Sequence, residues 1–375
     1  MQKKLIDILL IVLNYDYYPL PLMSKNSRSV LLLFSSSDIG GAERSLSRMA
    51  FINSNPSIIY HLATFGSQGP LTKFIESNSI RCDSFNYKTF LLVKHIIQNK
   101  PNVIYVIGFR LSIFLRFFCK IFTKNTLIQG VRWNPNSMSK LDRTFRFFEY
   151  FFSFLLDGYI VNSNESAKLI NSISKKNAKV IYNGISIIPK DETLSLKKKY
   201  VITLANLSRR KGHKEYINII SEIVKKIPNT QFIFLGIDNL NGEIQKLIRD
   251  TGLSSNIKYL GFHEDIQPFL NQSKVFVLPS LYGEGCPTSV LEAFSCSVPV
   301  IAFRIDGIPE LVSHNIDGIL VESGDDIGLG NAIEDLLMNP IKAKVMGKKG
   351  YVKVKEEFLL SSMLDKHNSY FLKLN

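Results

Sequence analysis

Short apolar, β-branched runs recur along the chain, each followed by a helix-like stretch, and one polar segment splits them into two sets. The first set is SVLLLFS (29–35), SIIYHLAT (57–64), NVIYVIG (102–108), NTLIQGV (125–131), GYIVNS (158–163) and KVIYNG (179–184). The second is YVITLAN (200–206), TQFIFLG (230–236), NIKYLGF (256–262), KVFVLPS (274–280), VPVIAF (298–303) and GILV (318–321). Strands apolar on both faces and alternating with helices imply parallel sheets covered on both sides. The divider, IPKDETLSLKKK (188–199), holds Pro189, fits no period and reads as a linker. A chain of 375 residues with 45% hydrophobic content suits two globular domains.

The expected class is therefore α/β, with two tandem Rossmann-like, doubly wound domains and a ligand cleft at the carboxyl ends of the strands. The expected division is an extension over 1–24, an N-terminal domain over 25–188 and a linker over 189–199. A C-terminal domain over 200–350 and a C-terminal helix over 351–375 that returns to the N-terminal domain complete it.

Three post-strand loops could carry chemistry. In SSSDIGGAERSLSRMA (35–50), Gly40 and Gly41 leave a strand and open an amphipathic helix, where free backbone amides attract an anion; such a pair is equally at home in a purely structural turn. In ANLSRRKGHKEY (205–216), Arg209, Arg210 and Lys211 follow a strand end, where they face a cleft anion or form a solvated basic turn. In VFVLPSLYGEGCPTSVLEAFSCSVPVIAF (275–303), Glu284 and Gly285 lie in a loop, Pro287 or Thr288 opens a helix, and Glu292 falls a turn inside it. Carboxylates repel phosphate but accept hydrogen bonds from sugar hydroxyls. Helix amides flanked by two such acceptors therefore suit a nucleotide-sugar, whereas the structural alternative has Glu292 merely complementing the helix dipole.

Net charge is +14, and it is unevenly placed. Residues 1–188 hold 23 lysines and arginines against 10 acids, and residues 189–375 hold 23 against 22. An N-terminal half this basic is expected to meet something anionic. FRLSIFLRFFCKIFTKN (109–125) and RTFRFFEYFFSFLLDGY (143–159) mix phenylalanine with cations. That pattern suits an anionic lipid surface, or an ordinary core beside a solvated face. Nucleic acid is the rival partner, but no recognised motif accompanies it, so none is expected. The four cysteines show no metal or disulfide spacing, which points to a reducing cytoplasm and no zinc site. LIDILLIVL (5–13) is interrupted by Asp7, too short to span a bilayer and poorly followed as a signal peptide. It reads as a peripheral extension, or as sequence upstream of a natural start at Met23.

The stretch EGCPTSVLEAFSCSVPVIAFRIDGIPELV resembles the E-x7-E region of family-4 retaining glycosyltransferases of the GT-B fold. GGAER, VIYNGI, KGH and DGILVESGD stand in that family's order and spacing, and the resemblance covers roughly residues 29 to 350. It implies that Glu292 binds the donor ribose and Glu284 the transferred sugar. It further implies that the amides of Thr288, Ser289 and Val290, beside Gly285, meet the diphosphate. Lys211 matches the family's diphosphate-binding lysine, and Gly40 and Gly41 its phosphate-closing loop; no metal is expected. Two departures stand out. Asn206 occupies a position often held by arginine, which leaves Arg209 or Arg210 to supply the second cation. Arg132 ends a strand where a histidine is frequent, and it is expected on the acceptor side.

The resemblance thus implies a retaining hexosyl- or N-acetylhexosaminyl-transferase, acting from a nucleotide-sugar onto a lipid-linked glycan in surface polysaccharide or lipopolysaccharide biosynthesis. It would be cytoplasmic and peripheral at the inner membrane face. A catalytically inactive binding module or a nucleotide-sugar epimerase are the alternatives. Replacing Lys211 or Glu292 by alanine is expected to abolish transfer and leave the fold intact.

Overall fold

The computed structural model describes residues 27–123, 125–134, 140–187 and 200–374, with the side chains of 140–142 excepted. The N-terminal extension and the linker expected at 189–199 lie outside these residues.

The N-terminal sheet contains β1 (Arg28–Phe34), β2 (Ile58–Thr64), β3 (Cys82–Ser84), β4 (Val103–Ile107), β5 (Thr126–Val131), β6 (Gly158–Val161) and β7 (Ala178–Val180). Its order is β3-β2-β1-β4-β5-β6-β7, and the pairing is parallel throughout. The second sheet contains β8 (Tyr200–Leu204), β9 (Gln231–Leu235), β10 (Ile257–Gly261), β11 (Ser273–Leu278), β12 (Val300–Phe303) and β13 (Gly318–Val321). It runs β10-β9-β8-β11-β12-β13, again parallel. These are two Rossmann-like, doubly wound domains in tandem. β3 was not expected from sequence: it is a three-residue edge strand, CDS, with no apolar run to mark it.

The apolar runs are explained by burial on both faces. Along β1, Val30, Leu32 and Phe34 enter one core while Leu31 and Leu33 enter the other. Along β11, Val275 and Val277 face one core, and Phe276 and Leu278 its opposite. The period of two thus alternates between two apolar environments rather than between core and water.

The N-terminal domain carries α1 (Gly41–Phe51) and α2 (Pro70–Ser77) on one face. Helices α3 (Thr89–Asn99), α4 (Phe109–Phe122), α5 (Lys140–Phe152) and α6 (Asn164–Ile173) cover the other. In the second domain come α7 (His213–Lys226), α8 (Glu243–Asp250), α9 (Gln267–Asn271), α10 (Thr288–Ser295), α11 (Ile308–Leu311), α12 (Asp326–Met338) and α13 (Pro340–Glu357). The expected break at residue 350 falls inside α13, which continues to Glu357 because Val354 is buried in the second domain's core. Only α14 (Leu360–Lys373) crosses back. It places Leu360, Met363, Leu364 and Phe371 in the N-terminal core, and Arg28 Nη1 donates to the Phe371 carbonyl at 2.6 Å.

Both sheets reverse their winding between a first strand and its neighbour, β1 with β4 and β8 with β11. The carboxyl ends at these two points face one cleft, where Rossmann-like sheets hold ligands.

Candidate active site

The cleft encloses about 540 Å³ and is lined from both domains, with Ile107 and Gly108 at the end of β4, and Leu204 and Ala205 at the end of β8. Two helix N-termini converge on it. α1 begins at Gly41 behind an extended Gly40, and α10 begins at Thr288 behind an extended Pro287. Gly41 and Thr288 are so close that a Cβ on Gly41 would overlap Thr288 Oγ1 and lie 3.4 Å from Thr288 Cβ. Two partial positive charges therefore meet at one point, a ready site for a di-anion.

In the same cleft Lys211 forms an ion pair with Glu284. Lys211 closes a short 3-10 turn, Arg209–Lys211, that follows β8. Gly212 then takes a left-handed conformation, φ +68°, packed directly on the Pro279 carbonyl. A side chain there would meet both backbone strain and a clash. Successive side chains of a 3-10 turn diverge by about a third of a turn. Arg210 and Lys211 consequently line the cleft while Arg209 is exposed outside it. The second cation lining the cleft is Arg210: its Nη1 donates to the Gly283 carbonyl at 3.2 Å and lies 3.9 Å from Glu284 Oε1.

Glu284 also accepts a bond from Ser280 Oγ at 2.6 Å. Burial would raise its carboxyl, but Lys211 and Arg210 outweigh burial and hold it below the usual range. Burial lowers the Lys211 ammonium, and Glu284 pulls it back. The loop itself is fixed by Asp306, whose Oδ2 accepts from the amides of Gly283 at 2.6 Å and Glu284 at 3.0 Å. Asp306 Oδ1 in turn accepts from Asn134 Nδ2 of the other domain at 2.7 Å.

Glu292 lies in the first turns of α10 and lines the cleft, where burial pushes its carboxyl above the usual range against the pull of Arg44 and Arg48. Thr288, Ser289 and Gly285 also line it. The N–H groups of Thr288 and Ser289 precede the first intrahelical bond and remain available to a ligand. Val290 does not belong with them: its amide donates to the Pro287 carbonyl at 3.2 Å, and its side chain is buried in the core. Asn206 lines the cleft, with its side-chain oxygen accepting from the Ile237 amide at 3.0 Å.

Arg132 reaches the cleft edge, yet its guanidinium is turned into the N-terminal domain. It donates to the Tyr105 hydroxyl, to Asn183 Oδ1 at 3.3 Å and to His367 Nε2 at 3.2 Å. Burial drives His367 down to about 3, so its ring is neutral and able to accept. The cation expected on the acceptor side is thereby tied to the fold by a histidine from α14.

Three acids escaped the sequence reading. Glu43, the glutamate of GGAER, lines the cleft and turns its carboxylate back toward the amides of Gly40 and Glu43. Burial pushes it above the usual range against those amides and Arg132. Asp306 and Glu310 both fall in the quoted DGIPE. Glu310 caps α6 from across the domain boundary, accepting from the amides of Asn164 at 2.7 Å and Glu165 at 3.0 Å, and from the Tyr182 hydroxyl at 2.7 Å. Among the described residues, no three histidine, cysteine or acidic side chains cluster as metal ligands. No helix among them is long and apolar enough to cross a membrane.

A cleft between two doubly wound domains, lined by helix N-termini and by two cations, defines the GT-B class. The crystal structure of Anabaena HepE in complex with UDP and glucose superposes with a TM-score of 0.80 over 92% of this chain and 99% of that one, at 21% identity. Residues 185–353 match the family model for glycosyl transferases group 1. That match lies in the second domain and spans under half of the chain, so it is the second domain that is similar to the group 1 glycosyltransferases. It is 30% identical over 239 residues to an uncharacterized glycosyltransferase of Methanocaldococcus jannaschii, a match over 57% of this chain and 58% of that protein. It is also 30% identical over 162 residues to the GDP-mannose-dependent monoacylated alpha-(1-6)-phosphatidylinositol monomannoside mannosyltransferase of Corynebacterium glutamicum, covering 41% and 42%. The chain spans about half the length of these curated relatives.

Proposed function

We propose that the protein is a retaining glycosyltransferase, moving a hexose or N-acetylhexosamine from a nucleoside diphosphate sugar to a lipid-linked glycan at an anionic membrane surface. The observation that carries this reading is the convergence of the α1 and α10 N-termini on a cleft that Lys211 and Arg210 also line. A diphosphate in that position would meet helix amides from both domains and two cations, while Glu292 and Glu284 offer acceptors to ribose and sugar hydroxyls.

In this reading the bond between the sugar C1 and the β-phosphate oxygen breaks as the acceptor oxygen attacks C1 from the same face. The acceptor's proton passes to the departing phosphate, and the anomeric configuration is kept. Lys211, Arg210 and the amides stabilise the charge that develops on the leaving group, which is where preorganised electrostatics contribute most. The reaction so drawn calls on no metal. Support for a nucleotide donor comes from the UDP and glucose of the HepE complex, and support for a lipid acceptor from the phosphatidylinositol mannoside named for the Corynebacterium relative.

The test is a thermal-shift screen against UDP-, GDP- and ADP-sugars, followed by nucleoside diphosphate release with and without a lipid-linked glycan fraction. One nucleotide class should raise the melting temperature, since a ligand bound only to the native state stabilises it. Release should then depend on the lipid fraction. A chain that binds none of the three and releases nothing refutes the proposal.

A further inference from the structure

The outward stripes of α4 and α5 carry the wrong residues for a solvated surface. A surface helix ordinarily turns its polar side to water. α4 buries Leu111, Leu115 and Phe118, yet presents Phe114, Phe117 and Ile121 outward. α5 buries Phe145, yet exposes Phe147 by 56%, Tyr150 by 62% and Phe151 by 51%, and Phe154 in the following turn by 50%. These apolar residues are 37–62% exposed, on two neighbouring helices and the turn that follows.

The two stripes have the same phase and form one surface. On α4 the series is Arg110, Phe114, Phe117, Lys120 and Ile121; on α5 it is Arg143, Phe147, Tyr150 and Phe151. The helices are joined by ring contacts, Phe117 with Phe152 at 5.5 Å and Phe109 with Phe145 at 4.9 Å. Beneath them Arg116 and Glu149, both wholly buried, pair at 2.6 Å, and Gln129 bonds to each. The described acid of α5 is thus hidden inside, and the exposed charges along both stripes, Arg110, Lys120 and Arg143, are cationic. Among the side chains described on the two helices, no carboxylate faces outward.

We infer that α4 and α5 form a platform that docks the N-terminal domain on an anionic lipid surface. Aromatic rings flanked by cations suit the boundary between headgroups and acyl chains, where apolar burial and attraction to anionic lipid act together. A second copy of the chain fits poorly, because a two-fold contact through this face would set Arg110, Lys120 and Arg143 against their own like charges. The placement also suits an acceptor held in a membrane. α4 begins directly after Gly108, and Trp133 lies in the segment that leads from β5 toward α5; both residues line the cleft. The inference specifies the membrane partner named in the proposed function, and its test uses no transfer activity, so either can fail alone.

Flotation of the full chain with phosphatidylcholine vesicles, with and without phosphatidylglycerol, tests it. Binding should require phosphatidylglycerol and weaken with salt. The pairs Phe147→Ser with Phe151→Ser, and Arg110→Glu with Lys120→Glu, should each weaken it at least about tenfold. All four positions are exposed, and circular dichroism with an unchanged nucleotide-induced thermal shift verifies the fold. Wild-type chain that floats with neither vesicle, or variants that float like wild type, overturn the inference. So does sedimentation showing a dimer that the phenylalanine variants abolish in a chain that does not bind vesicles.

Discussion

Gly41 of the first domain and Thr288 of the second face each other so closely that a methyl group on Gly41 would occupy the space of the Thr288 hydroxyl. The glycine is not there for backbone freedom, since it heads an ordinary helix. It is there because two helix N-termini must approach one another.

Gly41→Ala should therefore wedge the cleft open and weaken nucleotide binding by roughly tenfold, a cost on the order of 1–3 kcal/mol for overpacking. Thermal stability without ligand should change little. Adding Thr288→Ala removes the obstructing hydroxyl and should restore affinity. Calorimetric titration of the single and double variants checks both statements.

Lys211→Ala should do more than remove a phosphate ligand. It leaves the buried Glu284 carboxylate with only the Ser280 hydroxyl and the Arg210 guanidinium 3.9 Å away, so the variant should lose up to about 3–5 kcal/mol of stability. Lys211→Met with Glu284→Gln should regain most of that stability and still transfer no sugar. Urea unfolding with a transfer assay separates the two effects.

The same pair sets an acid limit. The Glu284 carboxyl titrates below its unfolded value, so its contribution to stability is full above the unfolded pKa and is lost as pH falls through the lowered folded one. Removing Lys211 takes away the largest influence opposing burial, so the melting temperature of Lys211→Ala should be displaced from that of wild type by less as pH falls. A melting-temperature profile across the acid range measures the displacement.

Glu292 has the opposite sign. Burial raises its carboxyl above the unfolded value, so its ionisation costs stability, a cost that sets in as pH rises above the unfolded pKa. Glu292→Gln should leave the melting temperature at neutral pH equal or higher, while nucleotide affinity falls about tenfold through loss of a charged acceptor for the ribose hydroxyls. A lower melting temperature together with unaltered affinity would contradict both halves.

Glu310→Ala should loosen the domains from one another. It removes the carboxylate that caps α6 across the boundary, worth about 1–2 kcal/mol as a lost cap. Small-angle scattering should report a broader distribution of domain separations, with each domain's secondary structure unchanged by circular dichroism.

Much of the fold could be read from sequence because two-sided burial writes itself as unbroken apolar runs, as at β1 and β11. β3 could not be read so, since a three-residue edge strand paired only to β2 buries too little to need such a run. In the cleft, Lys211, Glu284 and Glu292 were legible from their places after strand ends and at a helix start. The choice of Arg210 over Arg209 was not, because it depends on the turn's pitch. Nor was the loss of Val290, whose amide is consumed by the local bond to Pro287.

The sequence alone determined two parallel, doubly wound domains, a basic first half and three anion-suited loops, all consequences of residue type and spacing along one chain. Only the tertiary structure decided what those loops do to each other. It brought Gly41 against Thr288, paired Lys211 with Glu284, and turned Arg132 away toward His367 on the returning helix. Such contacts join residues far apart in sequence, and their energies depend on distance and burial, which no local pattern encodes.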